Sequence, residues 1–323
     1  MIPGIKIAAL IGFAPTLLTM SPGAGALTSG VQNAAYSASI GATGGTLVTY
    51  AIISGSLPAG LSFNGTTGAI TGTPTGFGGS SFTIRASDVS GTTTMATYTI
   101  TVDRRVFNYV ISSPATNVNL FTVAGNPAGG PGYQYIFTIN AGVVIGSAST
   151  ATRALQTGAF TAGALCKLIN HGSIFGKEGL GGAADASGSP GGDAMGLNCD
   201  LSLDNTDGFI FGGGGGGGGG ESYYSDAYGT IDGGTTSGGN GGKGQGFGNQ
   251  SAAEAGAPGE SGVAGAGGNG GAWGAAGSAS GRAGYVVGAY VSGGAAGKAV
   301  DLGGHAVTWL GGNDATHVKG AVS

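Results

Sequence analysis

Phe211-Gly-Gly-Gly-Gly-Gly-Gly-Gly-Gly-Gly-Glu221 is the stretch whose reading decides the fold. Glycine loses more backbone freedom on folding than any other residue, roughly 0.5–1 kcal/mol against alanine inside a regular element. A chain that places nine in a row is either unfolded there or uses an architecture that requires missing side chains. Composition argues for the second. Only 8% of the 323 residues are charged and the mean hydropathy is positive, whereas disordered chains combine high charge with low hydropathy.

The run is one of several. Glycine-rich stretches cover 179–192, 212–220, 233–248, 262–277 and 281–304, separated by an acidic segment (195–211), an aromatic one (221–232) and a polar one (250–259). Collagen demands glycine at every third position and abundant proline; here the period fails and only Pro190 and Pro258 occur after residue 180. A calcium-binding nonapeptide β-helix demands repeated GGxGxD, and Gly241-Gly-Lys-Gly-Gln-Gly246 lacks the aspartate and stands alone. The remaining architecture is a bundle of polyglycine-II-type helices with three residues per turn and about 3.1 Å rise. Without Cβ atoms such helices approach backbone to backbone, and each N–H finds a carbonyl on a neighbour.

Upstream, the pattern is that of strands. Ser81-Phe-Thr-Ile-Arg85 and Tyr98-Thr-Ile-Thr-Val102 alternate with period two, Thr46-Leu-Val-Thr-Tyr-Ala-Ile-Ile53 is rich in β-branched residues, and turn signals stand between them. The run Ser56-Leu-Pro-Ala-Gly-Leu-Ser-Phe-Asn-Gly-Thr-Thr-Gly-Ala-Ile-Thr-Gly-Thr-Pro-Thr75 resembles the LPxGLSxxxxTGxIxGTPT signature of immunoglobulin-like (cadherin-like) domains of bacterial and phage surface proteins. That resemblance implies a spacer or display module. Asp88 and Asp103 are its only carboxylates, too few for the six to eight oxygens of a calcium cage.

Residues 106–182 resemble a region of phage tail-tip and tail-fibre proteins that leads into a glycine-rich tip, carried by Ile139-Asn-Ala-Gly-Val-Val-Ile-Gly-Ser147, Ala154-Leu-Gln-Thr-Gly158 and Leu168-Ile-Asn-His-Gly-Ser-Ile-Phe-Gly176; Glu178 departs from the small residue expected there. The glycine half, entered directly from Phe211 and ending His305-Ala-Val-Thr-Trp-Leu-Gly-Gly-Asn-Asp-Ala-Thr-His-Val-Lys-Gly-Ala-Val-Ser323, resembles the adhesins that cap the long tail fibres of T-even-like phages. The expected fold class is therefore all-β: an Ig-like β-sandwich, then a β-rich connector and a polyglycine-II helix sandwich. The expected divisions are an apolar virion-attachment segment (1–26), the Ig-like domain (27–103), the connector (104–180) and the tip (181–323).

Enzymatic constellations do not emerge. His171, His305 and His317 lack metal-ligand spacing, Gly242-Lys243 is followed by glycine where a phosphate-binding loop needs Ser or Thr, and Cys166 and Cys199, 33 residues apart, form no metal motif and read as two small free buried residues, with a disulfide between them as the alternative. Asp193, Asp200, Asp204 and Asp207 cluster in sequence, which raises a glycosidase pair or a cation site; solvated loop carboxylates are the plainer reading. No catalytic residue, metal or cofactor is expected. Residues 171–323 carry five Lys/Arg against thirteen Asp/Glu, which excludes the basic footprint of a nucleic-acid binder. The N-terminal apolar run, interrupted by Pro15, is too short to span a bilayer; it reads as a docking segment or as an export signal ending at Ala24-Gly-Ala26.

Tyrosine presents large rigid contact area at low entropic cost. Tyr223, Tyr224, Asp226 and Tyr228 on the aromatic segment, with Trp273, Tyr285 and Tyr290 among later glycines, are the candidate receptor-binding residues; packing on the bundle faces is the alternative for the last three. The expected function is that of a phage tail-fibre or tail-tip receptor-binding protein, assembled in the host cytoplasm and carried on the virion. Its partners are a bacterial surface receptor (outer-membrane protein, pilus or glycan) and other tail proteins met through the N-terminus. A homotrimer suits fibre symmetry; a single cap suits the adhesins it resembles. An exported bacterial surface protein and a polysaccharide depolymerase are the competing classes.

Overall fold

The computed structural model describes residues 17–130, 132–224, 235–236, 239–258, 266–281 and 291–323. The chain divides into two compact units, Met1–Arg105 and Val106–Ser323.

The first unit is an antiparallel β-sandwich with parallel additions. Its strands are β1 (Thr19–Ser21), β2 (Gly25–Ala26), β3 (Gly30–Val31), β4 (Tyr36–Ser39), β5 (Gly41–Thr43), β6 (Thr49–Gly55), β7 (Leu61–Phe63), β8 (Ala69–Gly72), β9 (Gly78–Ser87) and β10 (Thr93–Asp103). One sheet runs β2-β10-β9-β6 with β3 also on β10; a second runs β4-β8-β7; β1 pairs with β5. The alternation read from the sequence is physical: Ala96, Tyr98, Ile100 and Val102 point into the core with Phe82, Ile84 and Ile70, while the intervening threonines of β10 face out. The signature glycines are steric. Gly60 has φ +90° and a Cβ there would lie 2.1 Å from the Thr73 carbonyl oxygen; Gly68 has φ +70° and would meet Ile40 O at 1.9 Å. Residues 17–26 belong to this unit: Leu18 and Met20 are buried in its core, and β2 hydrogen-bonds to β10. The boundary expected at 26/27 therefore falls inside the sandwich, because the apolar side chains after Pro15 are used as core. Residues 1–16 lie outside the described residues.

The second unit contains β11 (Val106–Ile111), β12 (Ala115–Thr116), β13 (Val118–Asn119), a one-turn helix α1 (Leu120–Val123), β14 (Gln134–Ile139), β15 (Val144–Gly146), β16 (Leu155–Gln156), β17 (Leu165–Asn170), β18 (Ser173–Phe175), β19 (Met195–Gly196), β20 (Leu201–Asp204), β21 (Phe209–Phe211), β22 (Tyr223–Tyr224), β23 (Thr235–Thr236), β24 (Val300–Asp301), β25 (Val307–Gly311) and β26 (Val318–Lys319). Three parallel sheets, β11-β14-β17-β20-β25, β12-β15-β18-β21-β26 and β13-β16-β19-β24, take one strand each from successive passes of the chain. This is a parallel β-solenoid, which the sequence reading did not foresee. Like stacks on like through its interior. Tyr109, Phe137, Leu168, Leu203 and Trp309 are in register on the first face, Ile145, Ile174, Ile210 and Val318 on the second, and Val118, Leu155, Met195 and Val300 on the third. Asn170 and Asn205 form a buried ladder at a corner: Asn170 Nδ2 donates to Asn205 Oδ1 at 2.7 Å, and Asn205 Nδ2 donates to Gly312 O at 3.0 Å.

The glycine segments are excursions from this solenoid. Residues 176–194 leave after β18 and return at β19; residues 212–299 leave after β21 and return at β24. Solenoid and glycine body share one chain path, so the division expected at 180/181 does not separate two bodies. Residues 212–220 run buried through the centre of the excursions. Their N–H groups donate outward with a three-residue repeat: 213, 216 and 219 to the carbonyls of 192, 189 and 186; 214, 217 and 220 to those of 245, 242 and 239; 215 and 218 to those of 275 and 278. Their carbonyls accept with the same repeat, 214, 217 and 220 from the N–H groups of 179, 182 and 185; 212, 215 and 218 from 274, 271 and 268; 213 and 216 from 297 and 294. Six neighbouring segments thus surround the central run. None of residues 212–219 has a positive φ, and a Cβ added at any of them would lie 1.6–2.3 Å from a neighbouring carbonyl oxygen. Lack of space, not a special backbone conformation, demands glycine here.

Candidate functional site

The hydrogen-bond repeat gives the glycine body two ends. Near the solenoid, Gly212 donates to Lys319 O, Gly274 donates to Gly212 O and Phe247 donates to Gly176 O. At the far end, Gly220 donates to Gly239 O, Asp185 to Gly220 O, Gly267 to Ala257 O, Gly281 to Ala266 O and Ser280 to Val291 O. Residues 224, 235, 258, 266, 281 and 291 flank the three chain segments 225–234, 259–265 and 282–290. The flanking residues of all three are thereby gathered at one end, away from the solenoid.

The expected site residues divide accordingly. Tyr223 and Tyr224 form β22, antiparallel to β23 with Tyr223 opposite Thr236 and Tyr224 opposite Thr235. This short ladder is fixed to the body by Ser222 N–H, which donates to Asp185 Oδ1 at 2.7 Å. Asp226, Tyr228, Tyr285 and Tyr290 lie outside the described residues, within 225–234 and 282–290. Trp273 lies at the other end of the body from Tyr223 and Tyr224. It sits at the solenoid end, its ring 4.6 Å from Phe175 and 5.5 Å from Phe211. Phe175 and Phe211 are register neighbours on the second face, stacked at 5.5 Å, and the Lys319 ammonium lies 4.6 Å from the Phe211 ring centre. Phe247 covers Gly146, where an added Cβ would lie 2.1 Å from its ring. The sequence reading used Phe211 only as an entry marker; its outward aromatic ladder forms the seat of the glycine body.

Charged groups pin the same junction. Arg153 pairs with Asp301 and lies 3.9 Å from Asp193; Lys298 Nζ donates to Asp301 Oδ1 at 3.0 Å, and Lys298 N–H donates to Asp193 Oδ1 at 2.7 Å. Burial works to raise the Asp301 carboxyl, but Lys298 and Arg153 outweigh it and hold it below the usual carboxylate range. Glu178, the departure noted in the sequence, is buried: it pairs with Lys177 Nζ at 2.8 Å and accepts Gly248 N–H at 2.7 Å.

The four clustered aspartates separate into local roles. Asp193 and Asp200 accept backbone N–H groups of Lys298 and Ala306, Asp204 accepts from Thr206 and Asp207 meets His171. Among the described residues no three His, Cys, Asp or Glu side chains converge to hold a metal ion. An open groove of about 600 Å³ runs along the solenoid corner, lined by Phe160, Leu165, Cys166, Cys199, Asp200 and His305 among others.

Residues 97–322, well over half of the chain, match the family described as Phage tail fibre adhesin Gp38. The chain belongs to that family. Residues 14–103 match the family described as Putative Ig domain. Among solved structures, the gp37–gp38 adhesin tip complex of the bacteriophage S16 long tail fiber is similar at 23% identity and TM-score 0.45, over 68% of this chain and 82% of that one. Protocadherin gammaB7 EC3-6 is similar at 17% identity and TM-score 0.24, over 28% of this chain and 26% of that one. Drosophila N-cadherin EC1-4 is similar at 16% identity and TM-score 0.22, over 32% and 30%. No curated protein matches. The adhesin is a receptor-binding component of the phage tail, with an Ig-like domain ahead of its family region.

Proposed function

We propose that the adhesin contacts its bacterial receptor with segments 221–236, 259–265 and 282–290, held at the far end of a polyglycine-II-type bundle whose other end is seated on the solenoid. The observation that carries this reading is the convergence of the flanks of all three segments at one end of a body in which side chains are excluded by the backbone. The three-residue hydrogen-bond repeat supports the polyglycine-II assignment. A body of this kind tolerates exchange of its terminal segments, because the bonds that hold it together run between its own glycine-rich backbones. Tyr223, Tyr224, Asp226, Tyr228, Tyr285 and Tyr290 are the contact residues in this reading, and Trp273 holds the bundle to its seat.

The mode of action is binding, without catalysis. A bacterial outer-membrane protein, pilus or glycan is the receptor class, and another tail-fibre protein is the attachment partner; the S16 structure is itself a complex of gp38 with gp37. The protein is assembled in the host cytoplasm and acts outside the cell. The decisive test joins Tyr224 to Thr235 through a two-residue Asn-Gly turn in place of 225–234. The account expects a folded adhesin whose phage no longer adsorbs, or adsorbs to a different host. Unchanged host range would remove this segment from the receptor surface, and release of reducing sugar from host envelopes would overturn the binding-only mechanism.

A further inference from the structure

We propose that Cys199 and Cys166 form a thiol–disulfide exchange site at the solenoid corner that leads into β17 and β20, which takes a small-molecule disulfide such as glutathione disulfide as oxidant. The two sulfurs are 3.5 Å apart and both thiols are free. Cys166 lies on β17, in register with Leu201 of β20, and Cys199 lies in the turn that feeds β20. That turn is fixed from three sides. Leu197 N–H donates to Asp301 O at 2.9 Å, Asn198 N–H donates to Thr157 Oγ1 at 2.7 Å, and Ala306 N–H donates to Asp200 Oδ1 at 2.9 Å. The sulfurs are therefore held together by the solenoid itself.

Access distinguishes them. Cys166 is 3% exposed, whereas Cys199 is only partly buried, and both line the open groove. Its volume of about 600 Å³ lies within the range of small-molecule sites. The electrostatics point the same way. The hydrogen bond shared with Cys166, helped by the Thr157 hydroxyl, draws the Cys199 thiol down against the effect of burial; the same shared bond, with burial, pushes Cys166 up. The thiolate is the attacking form, so Cys199 is the entry thiol and Cys166 the resolving one.

The step balances. The Cys199 thiolate attacks one sulfur of the small disulfide, whose S–S bond breaks and releases one thiolate. Cys166 then gives its proton to solvent or to the departing group and attacks the Cys199 sulfur, releasing the second small thiol. Two protein thiols are oxidised by two electrons, and one disulfide is reduced to two thiols. The new bond closes the loop from 166 to 199, which contains β18, the whole excursion 176–194 and β19, and ties the start of β17 to the turn that feeds β20. Such a bond persists in oxidising surroundings and is absent in a reducing cytoplasm.

The experiment prepares the full chain under reducing conditions, exposes it to glutathione disulfide, and counts free thiols by alkylation and intact mass. The expected result is loss of both alkylation sites with no retained glutathione. Thermal unfolding should then rise by roughly 5–10 °C in the oxidised form and return on reduction with dithiothreitol. In Cys166→Ser a stable glutathione adduct should collect on Cys199; in Cys199→Ser the remaining buried thiol should stay unmodified. Two persistent thiols, a stable glutathione adduct on the unsubstituted protein, or a disulfide-linked dimer would each overturn the proposal. Reaction of Cys166 in Cys199→Ser as fast as that of Cys199 would overturn the assigned order of attack.

Discussion

Substituting one central glycine separates the packing account from the general idea that glycine is used for flexibility. At Gly216 an added methyl would stand 1.9 Å from Leu180 O, 2.3 Å from Leu180 C and 2.8 Å from Gly181 N, all backbone atoms. No side chain can rotate away. The φ of Gly216 is not positive, so alanine is conformationally acceptable and even gains about 0.4–1 kcal/mol through the unfolded chain. Against that gain stands displacement of the 180–181 backbone by more than an ångström. The bonds from Gly216 N–H to Ser189 O at 2.9 Å and from Gly294 N–H to Gly216 O at 2.7 Å are put at risk. Each contributes about 1 kcal/mol net, and overpacking adds about 1–3 kcal/mol. Gly216→Ala should therefore cost about 2–4 kcal/mol, or roughly 5–15 °C in the unfolding midpoint of a unit this size. Gly130 is the control: its Cβ would meet nothing within 4 Å and its φ is not positive, so Gly130→Ala should be neutral or slightly stabilising. The assay is thermal unfolding of the two variants beside the parent. Equal midpoints for Gly216→Ala and Gly130→Ala would refute the argument that excluded volume selects glycine in 212–220.

Three further outcomes follow from the solenoid and its junction. Asn205→Ala removes the acceptor of Asn170 Nδ2 and the donor to Gly312 O, and should lower stability by about 1–3 kcal/mol, read by urea unfolding. The Asp301 carboxyl is depressed in the folded state, so its stabilisation is complete above the unfolded value of about 4 and is lost as pH falls through the folded one. Asp301→Asn should be the less stable protein at pH 6, with the difference shrinking toward pH 3, measured as midpoint against pH. Trp273→Ala should lower the midpoint by loss of its contacts with Phe175 and Phe211 while phage carrying the folded variant adsorb to the same host; lost adsorption at unchanged stability would return Trp273 to the receptor surface.

The Ig-like unit was legible because its information is local. Alternation in β9 and β10 and the positive-φ glycines of the signature act within a few residues. The solenoid was not legible, because its repeat is interrupted. Leu168, Asn170, Ile174 and Phe175 correspond to Leu203, Asn205, Ile210 and Phe211, a spacing of about 35 residues visible in hindsight as Ser-Ile-Phe-Gly176 beside Phe-Ile-Phe-Gly212. The preceding turn is shorter and the following one holds the entire 212–299 excursion, so no fixed period survives. For the site, the aromatic segment 221–232 was singled out by composition. Which glycine runs end together is set by hydrogen bonds between residues far apart in sequence, as between Gly220 and Gly239 or Gly218 and Ser278. Trp273 was grouped with the tyrosines because sequence carries no sign of which end of the bundle a turn occupies.

The central claim is that the nine glycines are the bonded axis of the tip and not a linker. Hydrogen–deuterium exchange of the adhesin, read by peptide mass spectrometry across 211–221, tests it most directly. The N–H groups of 213–220 donate to neighbouring segments inside the body and that of Gly212 to Lys319 O of the solenoid, so the account predicts exchange as slow as that of the solenoid strands β17 and β20. Exchange of this peptide at the rate of an unstructured chain would contradict it.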